Sequence, residues 1–291
     1  MQHSFHRDLV ESSQFSGTQF SLLSWSIPTS NAMTPFVMIV HGIGEHAGRY
    51  DEVARHLNDN GFDVFAVDLP GHGHSKKEGM QSRCYAIEEC STEVKDALRH
   101  VLANKKSSET PWFLFAHSMG GLVALRIFID HLHVTAEVPK PRRVFISAAP
   151  LKLRLHVPAW KETASKILLK LAPHLQLTNE IDPNMLSYSP ENIKMYKEDP
   201  FVHPYSSSWQ YDSIKRAARD ILEDVKDFRI PMFMAVGADD PIVDPLAIQS
   251  FMDKLKCEKR FELIPHAKHE ILNERDRLQL YNKIVQWFQA T

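Results

Sequence analysis

The sequence predicts an α/β protein whose central sheet is mostly parallel and carries helices on both faces. Short apolar runs, each the length of a strand buried on both faces, alternate along the chain with longer helical patterns. Such alternation favours an open sheet of parallel strands. A third observation is the abrupt join between two apolar runs at Ser118, which predicts a sharp turn from a strand into a buried helix.

The predicted elements follow one another regularly, apart from one interruption. An antiparallel hairpin is predicted between Glu11 and Pro28, with its turn at Ser16–Gly17, because apolar residues alternate with serines there. Buried strands are predicted at residues 36–40, 62–67, 112–117, 144–148, 230–236 and 261–264. Helices are predicted around residues 50–57 and at 87–102, 119–132 and 278–288.

The interruption begins after Pro150. From residue 151 to about 228 the strand patterns disappear, and short amphipathic helical pieces stand between prolines. We therefore predict an α/β core in two parts, residues 1–150 and 229–291, with an inserted helical cap at residues 151–228, called here the cap segment. An apolar stripe at Ile167, Leu168, Leu171 and Leu175 is its most regular feature.

Composition excludes several classes of protein. The 291 residues carry a formal net charge of -2, so the basic surplus of a nucleic-acid-binding protein is missing. Three cysteines, Cys84, Cys90 and Cys257, are too few and too scattered for a disulfide framework or a zinc cluster. The first residues lack an apolar signal core, and no stretch is long enough to span a bilayer. A soluble, cytoplasmic protein is expected.

The turn at Ser118 has the chemistry of a nucleophile site. Ala116-x-Ser118-x-Gly120 matches the pattern G-x-S-x-G, with alanine in the place of the first glycine. A serine at the tip of such a turn projects its hydroxyl from the edge of the sheet. The backbone N–H of Met119 is then free to meet an anion.

A serine hydroxyl needs a base, and the base needs a third group that fixes its tautomer. Ser118, Asp240 and His269 each follow a predicted strand, and the carboxyl ends of parallel strands meet at one edge of a sheet. We expect Ser118 to be the nucleophile, His269 the general base and then acid, and Asp240 the orienting carboxylate. Asp239 and Asp244 compete with Asp240 on position alone.

The anion formed by attack on a carbonyl needs two preorganised donors. The N–H of Met119 is the first. The second is expected from the loop after the strand 36–40, where glycines let the backbone approach a substrate. We predict the N–H of Ile43, with that of Gly42 as the alternative.

Several motifs together resemble one known family. In chain order they are His41-Gly-Ile-Gly-Glu-His46, Arg49-Tyr50, Asp68-x-Pro-Gly-His-Gly-His-Ser75, Ala-His-Ser118-Met-Gly-Gly, the Asp199–Pro200 pair, Asp240 and His269. Over nearly the whole chain they resemble the monoacylglycerol lipase and lysophospholipase branch of the α/β-hydrolases, within the serine aminopeptidase-like superfamily.

The resemblance implies hydrolysis of esters of single-chain acylglycerols or lysophospholipids, without a cofactor or a metal. Its Gly-x-x-Asp pattern selects Asp240 over Asp239, and its histidine pattern selects His269 over His266. It also implies that Glu45 and Arg49 lie near the alcohol end of the substrate. The departure at Ala116 is expected to cause modest crowding.

Two further patterns mimic cofactor sites. Gly42-x-Gly44-x-x-Ala47 follows a predicted strand and opens a helix, as a dinucleotide fingerprint does. The preceding His41 and the Ser–Asp–His set make that interpretation improbable. His72-x-His74 has no convincing set of further metal ligands, so no metal and no cofactor are expected.

The sequence therefore predicts a serine ester hydrolase that acts through an acyl-enzyme on a small lipid ester. The cap stripe is expected to cover an acyl-binding channel, and transient contact with a membrane surface stays open. The alternatives are a serine aminopeptidase that holds a substrate amine with Glu45, a small-ester carboxylesterase, and a hydrolase-like binding protein without turnover. Nothing in the sequence indicates an oligomeric state.

Overall fold

The computed structural model describes residues 4–14, 17–75, 84–106, 109–133, 138–155, 157–179 and 181–290. The strands in these ranges are β1 (Ser4–Glu11), β2 (Gln19–Ser26), β3 (Phe36–Val40), β4 (Asp63–Val67), β5 (Trp112–His117), β6 (Val144–Ser147), β7 (Gln176–Thr178), β8 (Tyr205–Ser207), β9 (Met232–Gly237) and β10 (Lys259–Ile264). The α-helices are α1 (Asp51–Asp59), α2 (Ile87–Lys105), α3 (Met119–His133), α4 (Ala159–Leu171), α5 (Pro190–Glu198), α6 (Ser208–Glu223), α7 (Pro245–Lys254) and α8 (Arg277–Gln289).

Eight strands form the main sheet in the order β1-β2-β4-β3-β5-β6-β9-β10. The pairs β1–β2 and β2–β4 are antiparallel, and every other neighbouring pair is parallel. The predicted mostly parallel sheet with helices on both faces is confirmed. It is the architecture in which connections of strand and helix bring functional groups to one edge of the sheet.

Alternation along β3 shows why the apolar runs fold as buried strands. Phe36, Met38 and Val40 belong to an apolar cluster with residues of α2, α3, α6 and α7. Val37 and Ile39 belong to a second cluster with residues of α1 and α8. Because successive side chains point to opposite faces, a strand covered on both faces must be apolar at every position.

The N-terminal hairpin begins earlier than the sequence pattern predicts. Its first strand is β1, which pairs with β2 from Ser4 opposite Ser26 to Glu11 opposite Gln19. This edge strand exposes Phe5 and Leu9, so its residues lack a buried apolar pattern. Of the predicted turn, Gly17 has a φ of 69°, and Ser16 lies outside the described residues.

The cap segment carries α4, α5 and α6 between β6 and β9. The expectation that it contains no strands is wrong, because β7 and β8 form a small antiparallel pair. Each is only three residues long, which is too short for an alternating pattern to be recognised. The division of the chain at residues 150 and 228 stays a prediction.

The three helices of the cap segment differ in burial: α6 contains buried residues, and α4 and α5 contain none. Helix α6 packs on α3 and α2 and buries Ala217 and Ile221, whereas α4 contains no buried residue. Among the described residues, no helix combines the length and the apolar composition needed to cross a bilayer.

Candidate active site

Ser118 occupies the turn between β5 and α3 in a left-handed backbone conformation, with a φ of 50°. Its N–H donates to the carbonyl of Ser147, 2.8 Å away, and its own carbonyl accepts from the N–H of Gly121. A Cβ at Gly120 would lie 2.3 Å from the carbonyl oxygen of Val40, so only glycine lets α3 start this close to β3. Positive φ is uncommon for serine, and such strain concentrates at functional sites.

Ala116 fits the first position of this turn without interrupting the sheet. It is fully buried and keeps its register opposite Val40 of β3 and Ile146 of β6. Alanine carries a methyl group where glycine has a hydrogen, and here this methyl group occupies space in the packed interior.

Ser118, His269 and Asp240 form one continuous chain of hydrogen bonds. The Ser118 hydroxyl lies 2.9 Å from His269 Nε2, and His269 Nδ1 lies 2.9 Å from Asp240 Oδ2. The other carboxylate oxygen, Oδ1, accepts from the backbone N–H groups of Ile242 and Val243. All three side chains are buried, and the structure thus brings the three predicted residues together at the carboxyl ends of β5, β9 and β10.

The pKa shifts of His269 and Asp240 are those expected of a base that is oriented by a carboxylate. Burial lowers the pKa of His269, but the Asp240 carboxylate and its hydrogen bond outweigh burial, so the pKa lies above its ordinary value of 6.5. Burial raises the pKa of Asp240, and the contact with His269 reverses this and holds it below its ordinary value. An ionised Asp240 accepts from Nδ1–H, which leaves Nε2 of the neutral imidazole able to accept the Ser118 proton.

The competing residues lie elsewhere. Asp239 is exposed, and its Oδ2 accepts from the hydroxyl of Tyr188. Asp244 caps the start of α7 and pairs with Lys152. His266 is exposed in a left-handed turn.

The loop after β3 lies against Ser118. A Cβ at Gly42 would be 3.1 Å from the Cβ of Ser118. The N–H of Gly42, the alternative second donor, is already bound to Glu45 Oε1 at 2.6 Å. Within the described parts of the chain, the N–H groups of Ile43 and Met119 have no protein acceptor. Their use as an oxyanion pair stays a prediction.

Glu45 and Arg49 are buried in an ionic network rather than exposed on a helix. Arg49 Nη1 donates to Glu45 Oε2 at 2.8 Å, and Arg49 forms a two-pronged ion pair with Glu270 at 2.8 and 2.9 Å. The hydroxyl of Tyr50 donates to Glu45 Oε1. Burial disfavours both carboxylates in their charged form, yet Arg49 keeps the pKa of Glu45 and of Glu270 below the ordinary value.

No role in this region was predicted for Glu270, Tyr50 or His117, although the motifs that carry the family resemblance include Tyr50 and His117. His117 precedes Ser118, and burial lowers its pKa to about 4, so it is neutral near pH 7. The only local signal for Glu270 was its place directly after His269. The predicted role of Glu45 and Arg49 at the alcohol end of a substrate stays untested.

A groove of about 560 Å³ lies on the cap side of the molecule, called here the side groove. Its apolar lining comes from the 150–157 segment and from α6, chiefly Leu151, Leu155, Val157, Ile214, Ala218 and Leu222. The α6 wall begins at Tyr211, and the neighbouring Gln210 donates its side-chain amide to the sulfur of Met119. Because adjacent residues of a helix point about 100° apart, the groove lies beside the face of α6 that contacts the Ser118 turn.

The apolar stripe of the cap segment does not line this groove. Ile167, Leu171 and Leu175 are 53%, 79% and 50% exposed. Helix α4 instead turns Glu162 inward, where it accepts from the Tyr211 hydroxyl and pairs with Lys215. Leu168, the fourth residue of the stripe, and its neighbour Leu169 are half-buried, so the inner face of α4 carries both polar and apolar side chains. That the stripe covers an acyl channel stays a prediction.

The sheet order and the position of Ser118 define the class of this protein as an α/β-hydrolase. The chain belongs to the family described as serine aminopeptidase, S33, whose model matches residues 32–276. The family resemblance inferred from the motifs is thereby confirmed.

A monoglyceride lipase and a phospholipase are similar to this chain over most of their length, and a third relative only over part of it. The chain is 30% identical to the monoglyceride lipase of Rattus norvegicus over 246 residues, which cover 82% of this chain and 77% of that one. It is 25% identical to a phospholipase of Bacillus subtilis over 247 residues, 84% of this chain and 91% of the relative. It spans only 27% of a longer abhydrolase domain-containing protein of Dictyostelium discoideum, at 26% identity over 92% of this chain.

Among solved structures, the monoacylglycerol lipase of Paleococcus ferrophilus superposes with a TM-score of 0.80 at 28% identity, covering 92% of this chain and 98% of that one. Family and relatives together identify the chain as a carboxylic ester hydrolase.

Proposed function

We propose that this protein hydrolyses carboxylic esters of single-chain lipids, monoacylglycerols or lysophospholipids, through an acyl-enzyme on Ser118. The observation that supports this mechanism is the buried chain of hydrogen bonds from Ser118 through His269 to Asp240, in which both distances are 2.9 Å. The substrate class is supported by the similarity to a monoglyceride lipase and to a phospholipase.

In the first half of the reaction, the Ser118 oxygen attacks the ester carbonyl while His269 Nε2 takes the hydroxyl proton. The carbonyl oxygen becomes an anion that accepts from the N–H groups of Met119 and Ile43. The C–O bond to the alcohol then breaks, and the imidazolium of His269 returns its proton to the leaving alkoxide.

In the second half, water attacks the acyl carbon and His269 takes one of its protons. The tetrahedral intermediate collapses, the bond to the Ser118 oxygen breaks, and His269 gives the proton back to the serine. The products are a free fatty acid and the alcohol, and no external oxidant or cofactor is needed.

The side groove is the proposed site for the acyl chain. Apolar side chains contribute to both of its walls, and its volume falls in the usual range of about 300–1,000 Å³ for ligand pockets. Charged side chains also line it: Lys152, Glu162, Lys215, Arg219 and Glu223. The helix that forms one wall, α6, also contacts the Ser118 turn, because the Gln210 side-chain amide donates to the sulfur of Met119. An acyl chain laid along this wall would exchange water for apolar contact at about 0.8 kcal/mol per CH₂.

The proposed function is tested with a panel of esters that crosses acyl length with head group: glycerol, phosphocholine-glycerol and ethanol. The wild type is expected to favour long-chain glycerol or lysophospholipid esters. Ile214→Trp is expected to lower kcat/KM for palmitoyl esters at least about tenfold, because it displaces two or more CH₂ groups, and to leave butyryl esters within about threefold.

Leu246→Trp, which adds the same ring on the exposed face of α7, is the matched control and should leave the panel unchanged. A wild type that hydrolyses no ester of the panel overturns the proposed function. Equal losses on palmitoyl and butyryl esters in Ile214→Trp would instead show that the side groove does not hold the acyl chain.

The exposed face of α4 is proposed to contact an anionic lipid surface. Trp160, Ile167 and Leu171 lie on one side of this helix and are 68%, 53% and 79% exposed. Lys161 borders this face on one side, and Lys166 and Lys170 on the other. A tryptophan with aliphatic neighbours and flanking lysines is the arrangement of an interfacial helix, and the positive charge suits anionic head groups.

The double variant Trp160→Ala/Leu171→Ala is expected to bind vesicles of phosphatidylcholine and phosphatidylserine at least about tenfold more weakly than the wild type, because two side chains lose their burial in lipid. Co-flotation with the vesicles measures this. Leu246→Ala removes a leucine of similar exposure from α7 and serves as the control. Flotation that is unchanged in the double variant would contradict the proposal.

The aminopeptidase alternative loses its main support in this structure. It requires Glu45 to hold a free substrate amine. Glu45 already accepts from Gly42 N–H, the Tyr50 hydroxyl and Arg49, and only 5% of the residue is exposed. Its two oxygens thus already accept three hydrogen bonds inside the protein, and a substrate amine would have to compete with these buried partners.

A further inference from the structure

In the loop that follows β3, side chains accept from the N–H groups of two residues, Gly42 and Gly44, which flank Ile43. The N–H of Gly42 donates to Glu45 Oε1 at 2.6 Å, and the N–H of Gly44 donates to His72 Nε2 at 3.1 Å. The N–H of Ile43 lies between them and has no acceptor in the described residues. Two fixed peptide groups thus flank a single free donor next to Ser118.

Both acceptors are themselves fixed. His72 Nδ1 donates to the carbonyl of Pro70 at 2.9 Å, which makes Nε2 the accepting nitrogen. Glu45 is held by the Tyr50 hydroxyl at 2.8 Å and by Arg49 at 2.8 Å. These partners lock the two side chains whose oxygen and nitrogen hold the loop.

Arg49 also joins this loop to the one that carries the base. Its guanidinium spans Glu45 and Glu270, and Glu270 is the residue after His269. The two carboxylates are buried and the guanidinium side chain is only 11% exposed, so the ion pairs are screened little by solvent. The position of the free N–H is therefore tied to the position of the imidazole.

The space beside this network argues against binding of the alcohol there. The cavity lined by Glu45, Arg49, His117 and Glu270 has a volume of about 20 Å³. That is room for about one water molecule and not for a glycerol. The charged groups of the network are thus used within the protein.

We propose that Glu45 and His72 are positioning residues that hold the Gly42 and Gly44 peptides, so that the N–H of Ile43 is aimed at the oxyanion, and that Arg49 and Glu270 keep this donor in register with His269. This inference rests on the proposed ester hydrolysis. It assigns Glu45 a role on every ester, whatever the alcohol.

The first test replaces Glu45 by leucine, which has a similar size but no acceptor for Gly42. Displacing one oxyanion donor is expected to lower kcat about 100-fold with KM changed less than about threefold. The loss should be equal for glycerol and ethyl esters of the same acyl chain. Glu45→Gln keeps an accepting oxygen and should recover activity to within about tenfold of wild type.

A second readout separates positioning from a general structural defect. A thionoester carries its negative charge on sulfur, which is a poor acceptor, so an oxyanion donor favours the oxygen ester over it. The ratio of ester to thionoester turnover should fall about tenfold or more in Glu45→Leu, because its free donor is displaced. Arg55→Met removes an exposed ion pair from α1 and should leave both the ratio and the activity unchanged.

His72→Phe removes the acceptor of the Gly44 N–H, on the other side of Ile43. This variant is used for the same test if Glu45→Leu does not fold. It is expected to show the same fall in kcat and in the thionoester ratio. A loss restricted to glycerol esters, or an unchanged ratio in the folded variants, overturns the positioning role. A wild type without ester hydrolysis would overturn the proposed function instead, so the two failures are distinguishable.

Discussion

Ser118→Ala is expected to lower ester hydrolysis about 10⁴-fold or more, because it removes the oxygen that forms the acyl-enzyme. The variant should fold, since alanine keeps the Cβ and meets the same backbone strain at a φ of 50° as serine does. The lost hydroxyl leaves His269 Nε2 without its donor, a cost of about 1–3 kcal/mol. A Tm decrease of several degrees is the expected upper limit.

The measurement combines steady-state hydrolysis with covalent labelling by a fluorophosphonate. The wild type should be labelled with one equivalent on Ser118, and Ser118→Ala should not be labelled. Ser91→Ala removes another buried serine hydroxyl, on α2, and should keep both activity and labelling. Activity of Ser118→Ala near the wild-type level would contradict the assignment of the nucleophile.

Asp240→Asn is expected to lower kcat by about 10⁴-fold through the tautomer of His269. Asp240 Oδ1 accepts from two backbone N–H groups, so the amide oxygen of asparagine would take that place. The amide NH₂ would then face His269 Nδ1, which must accept instead of donate. The imidazole proton would move to Nε2, where the base must be free to take the Ser118 proton.

The pH dependence of kcat/KM gives the same variant a second readout. In the wild type kcat/KM should rise with pH through the pKa of His269, above 6.5, because only the neutral imidazole accepts a proton. In Asp240→Asn the carboxylate that raises the pKa is gone and burial lowers it. The acid limb of the residual activity should therefore move to lower pH.

Asp239→Asn is the matched control for this pair of measurements, because Asp239 neighbours Asp240 and is bound to Tyr188 instead of His269. It should change neither kcat nor the acid limb by more than about twofold. An Asp240→Asn enzyme with wild-type kcat and an unshifted acid limb would show that another carboxylate orients the base.

Local sequence patterns predicted the interior of the sheet well and its margins poorly. The predicted strand at residues 36–40 coincides with β3, because a strand buried on both faces is apolar throughout. Strand β9 was predicted to begin at residue 230 but begins at Met232. The preceding Pro231 has no N–H that could donate to a neighbouring strand. The hairpin that contains the edge strand β1 was predicted to begin at Glu11 but begins at Ser4, since exposed residues carry no burial pattern.

The positions of Ser118, Asp240 and His269 could be predicted because each follows a strand, and parallel strands bring their carboxyl ends to one edge. Contacts without such a rule could not be predicted. Arg49 and Glu270 pair across 221 positions of the chain, and no local pattern indicates an ion pair over that distance. The exposure of the apolar stripe on α4 could not be predicted either, because an amphipathic pattern does not determine which face of a helix packs against the rest of the protein.

The sequence by itself determined the α/β order of elements, the turn at Ser118 and the placing of Ser118, Asp240 and His269 after three strands, because these depend on local hydrophobic period and on chain order. Only the tertiary structure decided which N–H of the loop after β3 is free, and that Glu45 is satisfied inside the protein. It also decided that Ile167 and Leu171 of α4 point outward. The reason is physical: these outcomes depend on which side chains from distant segments meet, and burial and hydrogen bonding are settled only when the segments pack.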